Sequence, residues 1–219
     1  MNELRFNRKD GTFILVCLLV LVAGLIVSLR YFRAAFPEAS IEFRYNRSQS
    51  GAIAEHFADS LGWQIPKEFR HASRFGFDSQ AKTYLEKELG VEGARPYLGK
   101  PIRLWYWQHR WFRPATKEEF RVFVTPDGEI VRTEHEIPED SAGADIPEDS
   151  ARAIAERILF GTMRQDSANL TFIEAQRVGR PHRADWTFTW RARGIEPVKG
   201  AEYRYSVDVL GDQAGGYRE

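Results

Sequence analysis

The chain has 219 residues, 43% of them hydrophobic and 13% aromatic, enough to build a packed core and unlike the composition of a disordered chain. Thirty-one basic residues balance thirty-one acidic ones, so the basic excess that draws a protein to nucleic acid is missing and no nucleic-acid partner is expected. A single cysteine, Cys17, excludes a disulfide framework and a thiolate metal cluster.

Residues 12–29 read TFILVCLLVLVAGLIVSL, eighteen positions without a charge, which at about 1.5 Å per residue nearly cross the hydrocarbon core of a bilayer. Arg5, Arg8 and Lys9 precede the run, Arg30 and Arg33 follow it, and Tyr31 and Phe32 supply interfacial rings. The pattern predicts a transmembrane helix with the lipid bilayer as its partner, and a thiol at Cys17 kept inert by lipid. Two other readings stay open. A cleaved signal peptide would have a shorter apolar region ending at a small-x-small site, whereas this run ends in Arg-Tyr-Phe-Arg; the third is a buried helix of a soluble protein. Basic residues flank both ends almost equally, so orientation follows from the short N-terminal tail staying in the cytoplasm. The expectation is a single-pass cell-membrane protein with its soluble part outside the cytoplasm.

Beyond the anchor the sequence repeats itself. Ala52-Ile53-Ala54-Glu55 recurs as Ala153-Ile154-Ala155-Glu156, an offset of 101. Trp105-Tyr106-Trp107 matches Phe188-Thr189-Trp190, Glu119-Phe120-Arg121 matches Glu202-Tyr203-Arg204, and Gly128 matches Gly211, all at an offset of 83. The difference leaves about eighteen extra residues in the first copy, before its Trp-bearing strand. Residues 78–90, DSQAKTYLEKELG, fill that gap as an inserted helix capped by Asp78 and stopped by Gly90. The fold class is therefore α+β: residues 1–35 form tail and anchor, 36–140 a first helix-plus-antiparallel-sheet unit, and 141–219 a second.

In the first unit Ser48 or Ser50 is the expected cap of a helix with Ile53, Ala54, Phe57 and Leu61 on its apolar face and Gly62 at its end. In the second, Asp145-Ile146-Pro147-Glu148 reads as a capping-box-like start, followed by an Ile154, Ile158, Leu159 stripe. Phe120, Val122 and Val124 alternate with Arg121 and Phe123, Pro126-Asp127-Gly128 turns the chain, and Tyr203, Tyr205 and Val207 repeat the alternation before Gly211-Asp212. Between the units, residues 136–149 carry six acids, two prolines and a glycine, the composition of a solvated hinge.

Few groups promise chemistry. His56, His71, His109, His135 and His182 show no metal-ligand spacing, and His135 reads as a solvated strand end. Glu118 and Glu119 are adjacent on a strand and so point to opposite faces rather than at one substrate. The acidic hinge lacks calcium-loop spacing, and no phosphate loop, nucleophile elbow or triad order occurs, so neither metal nor cofactor nor catalytic residue is expected. The densest aromatic-basic run spans residues 105–114. Trp105, Trp107 and Trp111 share one strand face and suit a core; with Arg113 they also suit a docking surface for a membrane or secreted protein, or a platform for bases or sugars.

The unit with AIAE on its helix and a PDGE turn between strands resembles the PepSY domain, known from propeptides of secreted metallopeptidases and from membrane-tethered proteins. FPEASIEF from Phe36, RLWYWQHRWFRP from Arg103, KEEFRVFVTPDGEIV from Lys117 and DWTFTWRARG from Asp185 are similar to the N-terminal extension of bacterial CPBP-type, CAAX-protease-like intramembrane metalloproteases. The catalytic core of that family carries Glu-Glu-x-x-x-Arg and histidines on several membrane helices; here Phe123 stands where the arginine would follow Glu118-Glu119. The resemblance therefore implies a non-catalytic regulatory or interaction module, or an accessory piece of such a protease, the end at Glu219 reading as that of a longer protein cut short.

Overall fold

The computed structural model describes residues 8–35 and 41–219. Arg5 and residues 36–40, which open the FPEASIEF run, lie outside the described residues. Arg8–Ala35 is one α-helix, α1, whose stretch Asp10–Phe32 is long and apolar enough to cross a membrane; a signal sequence has the same features. Residues 12–32 are all exposed, so the helix presents a surface of mostly apolar side chains.

The chain divides into Met1–Glu42 and Phe43–Glu219. The second unit holds α2 (Arg47–Ser60), β1 (Arg70–Phe77), α3 (Ser79–Ala94), β2 (Trp105–Phe112), β3 (Glu119–Val124) and β4 (Ile130–Glu136), then α4 (Glu148–Glu156), β5 (Leu170–Gly179), β6 (Ala184–Ala192), β7 (Arg204–Leu210) and β8 (Gln213–Arg218). A helix followed by a four-stranded antiparallel meander thus occurs twice. The strands form one eight-stranded sheet in the order β1-β2-β3-β4-β8-β7-β6-β5, which reads the same from either end. α3 sits between β1 and β2, and the second half crosses the corresponding gap with residues 180–183 alone.

Period two decides which face is buried. Ser73, His109, Val122, Thr133, Tyr217, Val207, Phe188 and Ala175 stand opposite one another across all eight strands, and both α2 and α4 pack on this face. The other face is polar: Arg121 bonds Glu134 (2.7 Å), Arg110 bonds Glu119 (2.5 Å), and Arg218 bonds Asp208 (2.8 Å). β3 and β4, and likewise β7 and β8, are joined by turns at Gly128 (φ +94°) and Gly211 (φ +63°), where the left-handed backbone favours glycine.

The helices seat closely because their inward faces are small. Ser50, Gly51, Ala54 and Ala58 are the buried residues of α2, with Ile53 and Phe57 flanking them, and α4 buries Ala151 and Ala155 at the offset of 101. The caps differ from those expected. Asn46 caps α2 and forms a reciprocal capping box with Gln49, because Ser48 lies within the first turn and Ser50 faces inward. Asn46→Ala should cost about 1 kcal/mol in urea unfolding. The N-cap of α4 is Pro147, with no side-chain cap bond; the Asp145 carboxylate instead takes two 2.8 Å bonds from Arg177. Gly90 (φ 71°, ψ 166°) leaves helical geometry and stops the first part of α3, as expected, and a second short helical part follows it to Ala94.

The acidic segment before α4 keeps its carboxylates exposed, as expected, but its backbone is pinned rather than free to hinge. Arg183 Nη1 donates to the carbonyls of Pro138 (2.9 Å), Glu139 (3.2 Å) and Ser141 (2.8 Å), and Nε donates to Asp185 (2.8 Å). Gly143 N–H to His182 O and Ala184 N–H to Ala144 O complete the clasp.

Candidate functional site

Residues 105, 107, 109 and 111 of β2 turn toward the helices. Trp105 and Trp111 are buried, and Trp111 stacks on His71 with ring centroids 4.7 Å apart. Trp107 is half-buried between Phe43 and Phe75, its indole N–H donating to Tyr45 O (3.3 Å). Arg113, just past the strand, is exposed. The three rings therefore face inward, Trp107 only in part, and Arg113 is exposed.

Between them lies a residue the sequence reading passed over. His109 is fully buried, and its Nδ1 meets Nε2 of His71 at 3.1 Å while its Nε2 meets the Ser50 hydroxyl at 2.9 Å. Ser50 donates its proton to Arg47 O (3.0 Å), so Nε2–H of His109 donates to Ser50, and Nε2–H of His71 donates to His109. Burial, then His71 and Arg47, push His109 from 6.5 down to about 4; burial also lowers His71 against the pull of Glu55. A serine linked to two histidines invites comparison with a nucleophile and its base, but Ser50 has no exposed surface and its hydroxyl is spent on Arg47 O. The chain of bonds ties α2 to β2 and β1. Its sequence signal was the small-residue spacing 50, 54, 58, which marks Ser50 as inward-facing.

The sheet is continuous across the two halves through three residue pairs, Arg132↔Arg218, Thr133↔Tyr217 and Glu134↔Gly216. Beyond Glu134 the strands part and leave a cleft of about 750 Å³, lined from both halves by Trp63, Gln64, Glu118, His135, Arg157 and Asp212 among others. Trp63, immediately after α2, wedges into it: the indole N–H donates to Ala214 O (2.8 Å) across the seam, and the ring lies against Phe120 and His135. His135 is therefore no solvated strand end. It stacks on Phe120 at 4.1 Å, and Nε2 stands 3.5 Å from Glu118, too far for a good hydrogen bond. Burial lowers its pKa while Glu118 pulls the other way, so Glu118→Gln should lower it further, read from its imidazole titration by NMR. Trp63→Phe keeps the ring and loses the bond to Ala214, a cost of about 1 kcal/mol in urea unfolding. The far wall is a π-helical turn, Arg157–Thr162, a wide turn often found at functional sites. Glu118 and Glu119 diverge here: Glu118 faces His135, while Glu119 binds Arg110 on the polar face.

Among the described residues no group of three or more His, Cys, Asp or Glu side chains is placed to hold a metal ion. Comparison of the chain with protein-family models, curated proteins and solved structures gives no match.

Proposed function

We propose that the protein is a single-span membrane-tethered module, built of two PepSY-like units, that binds and regulates a partner protein rather than catalysing a reaction. The observation that carries this reading is the cleft at the seam. It is a recess of about 750 Å³ whose polar groups come from both halves and include a buried His135 Nε2 without a hydrogen-bond partner. Such a recess suits a polar side chain presented by a partner, which would be framed by Gln64, Arg157 and Asp212. The Ser50-His109-His71 chain, by contrast, offers no reachable nucleophile. The helix α1 supports tethering by length and composition, and the resemblance to the extension of CPBP-type proteases makes a membrane or secreted protease the partner of choice.

A photocrosslinking residue placed at Gln64 or at Gln213, both exposed on the cleft, tests the proposal in native membranes, with exposed Gln176 on β5 as the control. The same adduct is expected from the first two positions and not from the third. Absence of any adduct at the cleft, or equal labelling at all three, would sink the idea. A reporter active only outside the cytoplasm, fused after Glu219, should be active if the soluble body is extracytoplasmic.

A further inference from the structure

The opposite end of the β4–β8 seam holds a second recess, of about 410 Å³, between α3 and the polar face of the sheet. Its walls are apolar or aromatic, with Tyr84 and Leu85 from α3 and Ile102 and Leu104 from the segment before β2. Its acids are already engaged. Asp78 accepts from the N–H groups of Gln80 and Ala81 as the cap of α3, and Glu202 accepts from Arg191 (2.8 Å) and Arg204 (2.8 Å). Glu219, almost fully buried, accepts two bonds from Arg103 (3.1 and 2.5 Å) and one each from the hydroxyls of Tyr203 (2.9 Å) and Tyr217 (2.8 Å).

Its arginines are not saturated. Arg132, Arg204 and Arg218 line the recess, remain about half-exposed, and each bonds a single carboxylate, Glu134, Glu202 and Asp208 respectively. A guanidinium presents its donors on several edges, so each keeps N–H groups for a further acceptor. A cation would meet carboxylates already paired with arginines or with helix-cap N–H groups, beside three guanidinium edges that repel it, and a fully polar ligand would forfeit the apolar walls. We propose that this recess binds a small amphipathic organic anion, its apolar body against Leu85 and Leu104 and its carboxylate or phosphate on Arg132, Arg204 and Arg218. The site is separate from the seam cleft, so it stands or falls independently of the partner reading.

The probe is 4-phenylbutyrate, titrated by calorimetry into the full chain in phosphatidylcholine nanodiscs, with 4-phenylbutanol and 4-phenylbutylammonium as the neutral and cationic counterparts. Saturable binding of the anion is expected, about tenfold or more tighter than the alcohol, with no binding of the ammonium. Arg204→Gln with Arg218→Gln should weaken the anion about tenfold while leaving the unfolding midpoint nearly unchanged, since exposed ion pairs contribute about 0–1 kcal/mol each. Ala201→Phe, in the lining loop, should abolish binding by filling the recess. Equal affinity for anion and alcohol, no saturable binding of the anion, or binding indifferent to either variant overturns the proposal. Competition from phosphatidylglycerol nanodiscs would make the natural anion a lipid; absence of competition would make it a soluble one.

Discussion

Arg183→Met should lower the unfolding free energy by roughly 3–5 kcal/mol. Arg183 is 5% exposed and uses one guanidinium to hold Asp185 and three carbonyls of the segment before α4. Methionine keeps the apolar stem but leaves Asp185 with Arg180 alone and strands the carbonyls of Pro138, Glu139 and Ser141. Arg183→Lys should recover part of the loss, because an ammonium keeps the charge but cannot span the forked carboxylate and the carbonyls together. Urea unfolding followed by tryptophan fluorescence measures both. A loss of less than about 1 kcal/mol for the methionine variant would show that the segment holds its course without the clasp.

Acidification should destabilise the folded body of residues 43–219 well before its carboxylates titrate. In the unfolded chain His109 takes a proton near 6.5, whereas in the fold burial, His71 and Arg47 hold it to about 4. Between those values the unfolded state binds more protons, so stability is fully present above about pH 6.5 and falls as pH drops toward 4. At about 1.4 kcal/mol per tenfold change in proton affinity, this one residue costs about 2 kcal/mol by pH 5 and roughly 3 by pH 4. His71 and His135, also lowered by burial, act in the same direction. Urea midpoints measured from pH 7.5 to 5 should fall steadily, and His109→Gln should flatten the slope. A profile already flat in the unaltered protein would mean that the buried histidine is protonated in the fold after all.

Much of the local architecture was legible. The alternation of Phe120, Val122 and Val124 placed a strand whose even positions are buried, and the shared offset of Trp107/Trp190 and Gly128/Gly211 matches corresponding strands and turns in the two meanders. The eighteen-residue gap located α3, and Asp78 capped it as its N-cap chemistry requires. The caps of α2 and α4 were misread because several candidates stood near each helix start. Which of them caps depends on where the backbone leaves the extended region, and that is set by packing: inward-facing Ser50 cannot cap, and Asp145 is drawn to Arg177.

The candidate sites were far less legible, since both depend on partners distant along the chain. His71 and His109 stand 38 residues apart, Trp63 and Ala214 151 apart, and Arg103 and Glu219 116 apart. By itself the sequence determined an apolar N-terminal helix, the α+β class, the repeat and the inserted helix, because hydrophobic period, turn chemistry and spacing act within a few residues. Only the tertiary structure decided that β4 pairs with β8 and fuses the halves into one sheet, that three pairs leave a cleft at one end of the seam and an arginine-rimmed recess at the other, and that Arg183 straps down an acidic stretch. Those outcomes turn on which unpaired strand edges and buried charges find each other, and a chain's local pattern specifies that such groups need partners without specifying which ones they meet.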